Sequence, residues 1–122
     1  KNKIINVNKQ NSLIKKLDFS LTNDQKNALD EINKDLSSSN KMFRLLQGDV
    51  GSGKTIVSLL AALNTINSGF QVAIMAPTEI LARQHYNLAK KIFSHHLNLE
   101  LISGKSEYKK KKDVIDNLNF VF

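Results

Sequence analysis

The sequence of 122 residues contains no cysteine. That excludes a disulfide framework and a thiolate metal site, and it fits a reducing compartment. Long apolar runs are lacking too. The longest, near residues 56–63, is far shorter than the roughly 20 residues needed to cross a bilayer, so no membrane partner is expected. The N-terminus is rich in Asn and Lys and has no apolar stretch of the secretory type, so a cytoplasmic location is expected. The chain opens with Lys rather than Met, which suggests sequence upstream. It has no internal repeats.

Acidic side chains are outnumbered by basic ones, 11 to 18, giving a net charge of +7. A positive balance suggests a nucleic-acid partner, but its distribution weakens that inference. Residues 1–16 carry +5 and residues 105–112 carry +4, which leaves −2 for the remainder. A solvated tail and a solvated helix face account for these charges equally well. At 41% hydrophobic residues, the chain is long and apolar enough for one domain with a core.

Residues 1–16 read as a linker or upstream segment, and 17–122 as the domain proper. Leu29, Ile32 and Leu36 recur at helical spacing. Thr22 is a good N-cap there, and Gln25 three residues later completes a capping-box pattern. Residues 37–40, Ser-Ser-Ser-Asn, break that helix. Residues 42–47 read as a buried strand. Residues 54–68 are apolar almost all round, as in an interior helix, and Gly69 stands where a glycine C-cap belongs. Residues 72–76 read as a second strand, ended by Pro77. Thr78 is placed to cap a helix with Leu81, His85, Leu88 and Ile92 on its inner face. His85 reads as a packed core histidine. Leu97, Leu99 and Leu101 alternate as a third strand. A Lys-rich helix with Tyr108, Ile115 and Leu118 inward should follow, and residues 119–122 begin a fourth strand. Strands alternating with helices predict an α/β domain built on a parallel sheet with flanking helices.

Gly48, Asp49, Val50, Gly51, Ser52, Gly53, Lys54 and Thr55 match G-x-x-x-x-G-K-[ST] in full. A predicted strand precedes the match and a predicted helix follows it, which is the context a phosphate-binding loop requires. Glycines let backbone N–H groups close around the phosphates of ATP, because no Cβ blocks the approach. The helix start adds its positive dipole end. Lys54 is expected to bridge the β- and γ-phosphates, and Thr55 to offer its hydroxyl to Mg²⁺. Gln25 has two readings: a helix cap, or a reader of the adenine edge with Phe19 stacking on the ring. The two roles need different side-chain directions.

The run Arg44-Leu45-Leu46-Gln47 followed by residues 48–55 closely resembles the first motor motif of RecG-type DNA helicases. These are superfamily 2 translocases that remodel stalled replication forks and branched DNA. Residues 19–25 resemble the segment leading into that family's motor domain, and residues 76–85 its next motif. Leu101-Ile102-Ser103-Gly104-Lys105 is a looser match further on. The resemblance implies an incomplete RecA-like P-loop NTPase domain, the N-terminal part of a first motor domain. It implies adenine recognition by Gln25 and catalytic roles for Lys54 and Thr55. Pro77, Thr78, Glu79 and Arg83 would lie at a DNA-facing edge, with Ser103 and Gly104 as a second backbone contact to DNA. An ordinary N-cap remains the other reading of Thr78. In that family, later strands separate the phosphate-loop strand from the one that follows it in sequence. Without them, an apolar edge would be exposed.

No apolar strand ending in Asp-Glu occurs downstream of Thr55, so the acidic Mg²⁺ motif of such motors is expected beyond these residues. The 122 residues alone are therefore expected to turn over negligible ATP. The alternatives are a non-catalytic nucleotide-binding remnant, part of a transcription–repair coupling factor, and a small P-loop kinase. The last would need a lid and a substrate pocket, and the sequence shows neither.

Overall fold

In a computed structural model, residues 15, 20–49, 53–93, 97–103 and 120–122 are described. The chain divides into two compact units, residues 1–69 and 70–122.

The first unit is a helical pair. Helix α1, Asn23–Ser37, starts at Thr22 with the predicted capping box complete. The Thr22 Oγ1 accepts from the Gln25 N–H at 3.2 Å, and the Gln25 Oε1 accepts from the Thr22 N–H at 2.9 Å. Such reciprocal caps satisfy two helix-end donors and stabilise by about 1 kcal/mol. Helix α2, Lys54–Asn67, is the interior helix the sequence predicted. From Ile56 to Ile66 only Ser58 is exposed and Thr65 half-buried. Leu59 and Leu60 are at most 1% exposed, and burial of each stabilises by about 1.5–3 kcal/mol. Gly69 ends the helix as expected, at φ 86°, with its N–H donating to the Ile66 carbonyl at 2.9 Å.

Residues 42–47 correct the sequence reading. They adopt no regular structure, and Phe43 and Leu45 are exposed. A strand has no hydrogen bonds of its own and needs a neighbour; among the described residues this segment pairs with no strand. Arg44 holds it instead. Its Nη2 and Nε reach Asp35 at 2.7 and 2.9 Å, and its Nη1 reaches Glu31 at 2.8 Å. Hydrogen bonding by Asp35, with lesser help from Glu31, raises the guanidinium pKa above its ordinary value.

The second unit contains β1 (Val72–Ala73), α3 (Glu79–Phe93), β2 (Leu99–Glu100) and β3 (Phe120–Val121). The strands pair in parallel in the order β1-β3-β2. Each strand is only two residues long, so residues 74–76 fall outside the strand expected over 72–76. The ladder continues where Phe122 donates to Glu100 at 2.9 Å and Ile102 donates to Phe122 at 2.8 Å.

The inner face of α3 centres beside the expected line of Leu81, His85, Leu88 and Ile92, of which only Leu81 is exposed. Its buried residues are Ala89 and Phe93; Ala82 and Tyr86 are half-buried, as are the expected His85, Leu88 and Ile92. Ala89 and Phe93 are 0% and 2% exposed. The Tyr86 ring meets Phe122 edge-on, with centroids 5.8 Å apart, a geometry that adds about 0.5–1.5 kcal/mol to burial alone. His85, expected as a packed core histidine, is only half-buried. Among the described residues no helix is long and apolar enough to cross a membrane. The linker reading of residues 1–16 and the Lys-rich helix with Tyr108, Ile115 and Leu118 lie outside the described residues, Lys15 apart.

Candidate nucleotide site

The site is built where α2 begins. Gly53 is its N-cap and adopts the left-handed conformation, φ 79° and ψ 26°. A residue with a Cβ pays a steric penalty there, so glycine is required by geometry. Among the described residues no side chain caps this end, and the first turn contains no acidic residue. The leading N–H groups lie at the positive end of the helix dipole, placed to serve an external acceptor. That arrangement favours an anion and disfavours a cation.

Lys54, the first residue of α2, folds back over the loop. Its Nζ donates to the Gly48 carbonyl and, at 3.2 Å, to that of Asp49. The two carbonyls hold the ammonium beside the uncapped helix end. Thr55 is half-buried in the first turn.

A cavity of about 430 Å³ opens beside these groups, within the size range of small-molecule sites. Asp24 and Gln25 of α1, residues 46–49 leading into and opening the loop sequence, and Lys54 and Val57 of α2 line it. The cavity thus joins the predicted phosphate-binding lysine to the predicted base reader. No motif marks Asp24 and Val57 as its border; only the packing of α1 against α2 places them there.

Gln25 resolves one of the two directions expected for it. Its Oε1 is held by the Thr22 N–H, and its amide lies against Gly53: a Cβ built there would overlap Nε2 and stand 3.3 Å from Cδ. The side chain points along the cap and onto the loop.

These features fit a polyphosphate: uncapped amides, a glycine with no room for a Cβ, and a lysine at the mouth. The fit to Mg²⁺ is narrower. Among the described residues no three His, Cys, Asp or Glu side chains gather to hold a metal ion, so that assignment rests on Thr55. Phe19, Val50, Gly51 and Ser52 lie outside the described residues.

The residues predicted to face DNA sit in the other unit. Pro77 and Thr78 precede α3, and Thr78 is its N-cap, with Oγ1 accepting from the Leu81 N–H at 3.2 Å. Arg83 pairs with Glu79 at 3.2 Å, one turn apart. Glu79 and Arg83 line a shallow hollow of about 390 Å³ with Ile80, Gln84 and Asn87. Ser103 is half-buried at the end of the β2 segment, and Gly104 lies outside the described residues. The capping reading of Thr78 is therefore realised, and the structure unites Glu79 and Arg83 but not these with Ser103.

Comparison with known proteins agrees with the loop. Residues 22–122 match the family model described as DEAD/DEAH box helicase. The chain is 49% identical over 107 residues to the ATP-dependent DNA helicase RecG of Borreliella burgdorferi, covering 87% of this chain and 16% of that protein. It is 50% identical over 102 residues to the RecG of Aquifex aeolicus, covering 83% of this chain and 13% of the relative. With the RecG of Staphylococcus epidermidis it shares 42% over 112 residues, 92% of this chain and 16% of the relative. The chain thus spans about one sixth of the length of the curated relatives it matches. With a family match that begins at the cap of α1 and runs through the loop to Phe122, the chain belongs to the DEAD/DEAH box helicase family.

Proposed function

We propose that these residues are the N-terminal part of the first motor domain of a RecG-like ATP-dependent DNA helicase, one that remodels branched DNA in replication-fork repair and recombination. The complete domain is RecA-like, with a parallel sheet extending the short ladder of the second unit, and it works in the cytoplasm. The observation that carries this reading is Lys54 held at the uncapped start of buried helix α2, next to left-handed Gly53. Sequence similarity to RecG proteins supports the choice of motor.

ATP, when bound, supplies the phosphoryl group whose hydrolysis drives the motor. The chain's own residues bind and orient it. N–H groups at the start of α2 donate to phosphate oxygens, and Lys54 exchanges the carbonyls of Gly48 and Asp49 for those oxygens. The Thr55 hydroxyl is the group that would hold Mg²⁺. Pro77, Thr78, Glu79, Arg83, Ser103 and Gly104 form the DNA-facing edge in this reading. Free backbone donors near the start of α3 serve a strand phosphate even while Thr78 caps the helix.

Hydrolysis needs an acidic group beside the metal and another to activate water. Asp49 lies inside the loop sequence and is no substitute for either, so the 122 residues alone have negligible turnover. The test is Lys54→Ala in the complete helicase. ATPase activity should fall at least about a hundredfold. The fold should survive, because the Gly48 and Asp49 carbonyls are exposed and water replaces the ammonium. Unchanged turnover would remove the assignment.

A further inference from the structure

Residues 42–47 run directly into the loop sequence, and residues 46–49 line the cavity beside Lys54. Among the described residues they pair with no strand, and the Arg44 side chain ties them down. Its Nε and Nη2 both donate to Oδ2 of Asp35, at 2.9 and 2.7 Å, and its Nη1 donates to Oε2 of Glu31 at 2.8 Å. Glu31 and Asp35 stand four residues apart in α1, so they share one face of that helix. The first turn of the same helix borders the cavity. Three contacts from one planar group fix its orientation as well as its place, which a lysine ammonium cannot do.

All three side chains are partly exposed, and exposed ion pairs add little to global stability. The effect of this one is local. Arg44 does not line the cavity, but it stands four residues before Gly48, whose carbonyl, with that of Asp49, accepts from the Lys54 ammonium.

We propose that Arg44, acting through Asp35 and Glu31, is a positioning residue for nucleotide binding: it holds the segment entering the phosphate loop against α1, so that this side of the cavity is ordered before the polyphosphate arrives. The inference rests on the nucleotide-site reading above. Order present beforehand removes an ordering cost that binding otherwise meets.

The test is binding of ATP and of inorganic pyrophosphate, each with Mg²⁺, to the complete helicase by titration calorimetry. Arg44→Met keeps the apolar stem and removes every donor. It should weaken both ligands alike, by about twofold to tenfold, the scale of ordering one side chain on binding. Asp35→Ala should do the same, and the double variant should be no weaker than either single one. Unchanged affinity in Arg44→Met, or losses that add in the double variant, would overturn the proposal. Asp35→Ala also separates positioning from direct contact. A guanidinium that itself reached the phosphates would be freed by it, so affinity that holds or rises in Asp35→Ala counts against the proposal.

In steady-state assays KM for ATP should rise by the same factor while kcat holds, the pattern of lost uniform binding. A fall in kcat at unchanged KM would contradict the positioning role. Arg44→Asp combined with Asp35→Arg guards against misfolding. The reversed pair should recover part of the affinity that Arg44→Asp alone loses; no recovery in a variant that melts like the unaltered protein would sink the idea. Failure of the unaltered helicase to bind either ligand would overturn the nucleotide-site reading as well. Binding lost in Lys54→Ala but untouched in Arg44→Met would overturn the positioning role alone.

Discussion

Asn64, fully buried in α2, donates its Nδ2 to the Oδ1 of Asn33 in α1 at 2.6 Å. This polar pair lies between two helices whose other buried positions are apolar, apart from the Asn64 Oδ1, which has no partner among the described residues. Buried polar groups cost stability unless matched. Asn33→Ala should therefore destabilise by about 1–3 kcal/mol, because it strands the Asn64 amide. Asn33→Leu combined with Asn64→Leu should recover most of that loss, since both partners disappear together. Urea denaturation of the unaltered protein, Asn33→Leu, Asn64→Leu and the double variant measures the coupling, and strict additivity would show that the pair is not coupled.

The two left-handed glycines differ in one respect. Gly69 has nothing within 4 Å of where a Cβ would sit, whereas Gly53 has Gln25 there. Gly69→Ala should cost only the backbone penalty, about 1–2 kcal/mol. Gly53→Ala should cost more, and part of the excess should return on Gln25→Ala. Equal melting temperatures for the two single variants would show that Gln25 gives way freely.

Arg44 ties residues 42–47 to α1 by a forked contact. Arg44→Lys keeps the charge and loses the fork, so amide exchange across residues 45–48 should quicken. Added salt should produce part of the same effect in the unaltered protein, because the pair is partly exposed. The raised pKa of Arg44 implies no pH dependence in working buffers. Its stabilisation is complete below the unfolded value and would be lost only as pH rose beyond the folded one, above any pH used.

In the complete helicase, Thr78→Val with Arg83→Ala should reduce DNA-stimulated ATPase severalfold and leave basal hydrolysis standing. Thr78→Val also removes a cap worth about 1 kcal/mol, so a melt must accompany the assay. Equal loss of both activities would assign Thr78 and Arg83 to structure alone.

Local interactions made much of this chain legible in advance. The capping box of Thr22 and Gln25, the all-apolar α2 and the glycine ending it depend on neighbours within about four residues, and each is where the sequence put it. The start of α2 was legible for the same reason: glycine at 53 is left-handed and Lys54 is the first helical residue. The reading failed where partners are distant. Residues 42–47 have the composition of a strand, yet a strand exists only through a neighbour. In α3 the buried residues are Ala89 and Phe93, and Tyr86 meets Phe122, a contact made across 36 positions that no periodicity announces.

By itself, then, the sequence determined where α1 and α2 begin and that a left-handed glycine and a lysine open α2, because backbone capping and glycine geometry act locally. Tertiary structure alone decided that Asn33 finds Asn64, that Arg44 anchors the segment before the loop, and that Gln25 lies against Gly53. Those choices depend on which surfaces meet once burial drives the helices together, and no spacing along the chain encodes that.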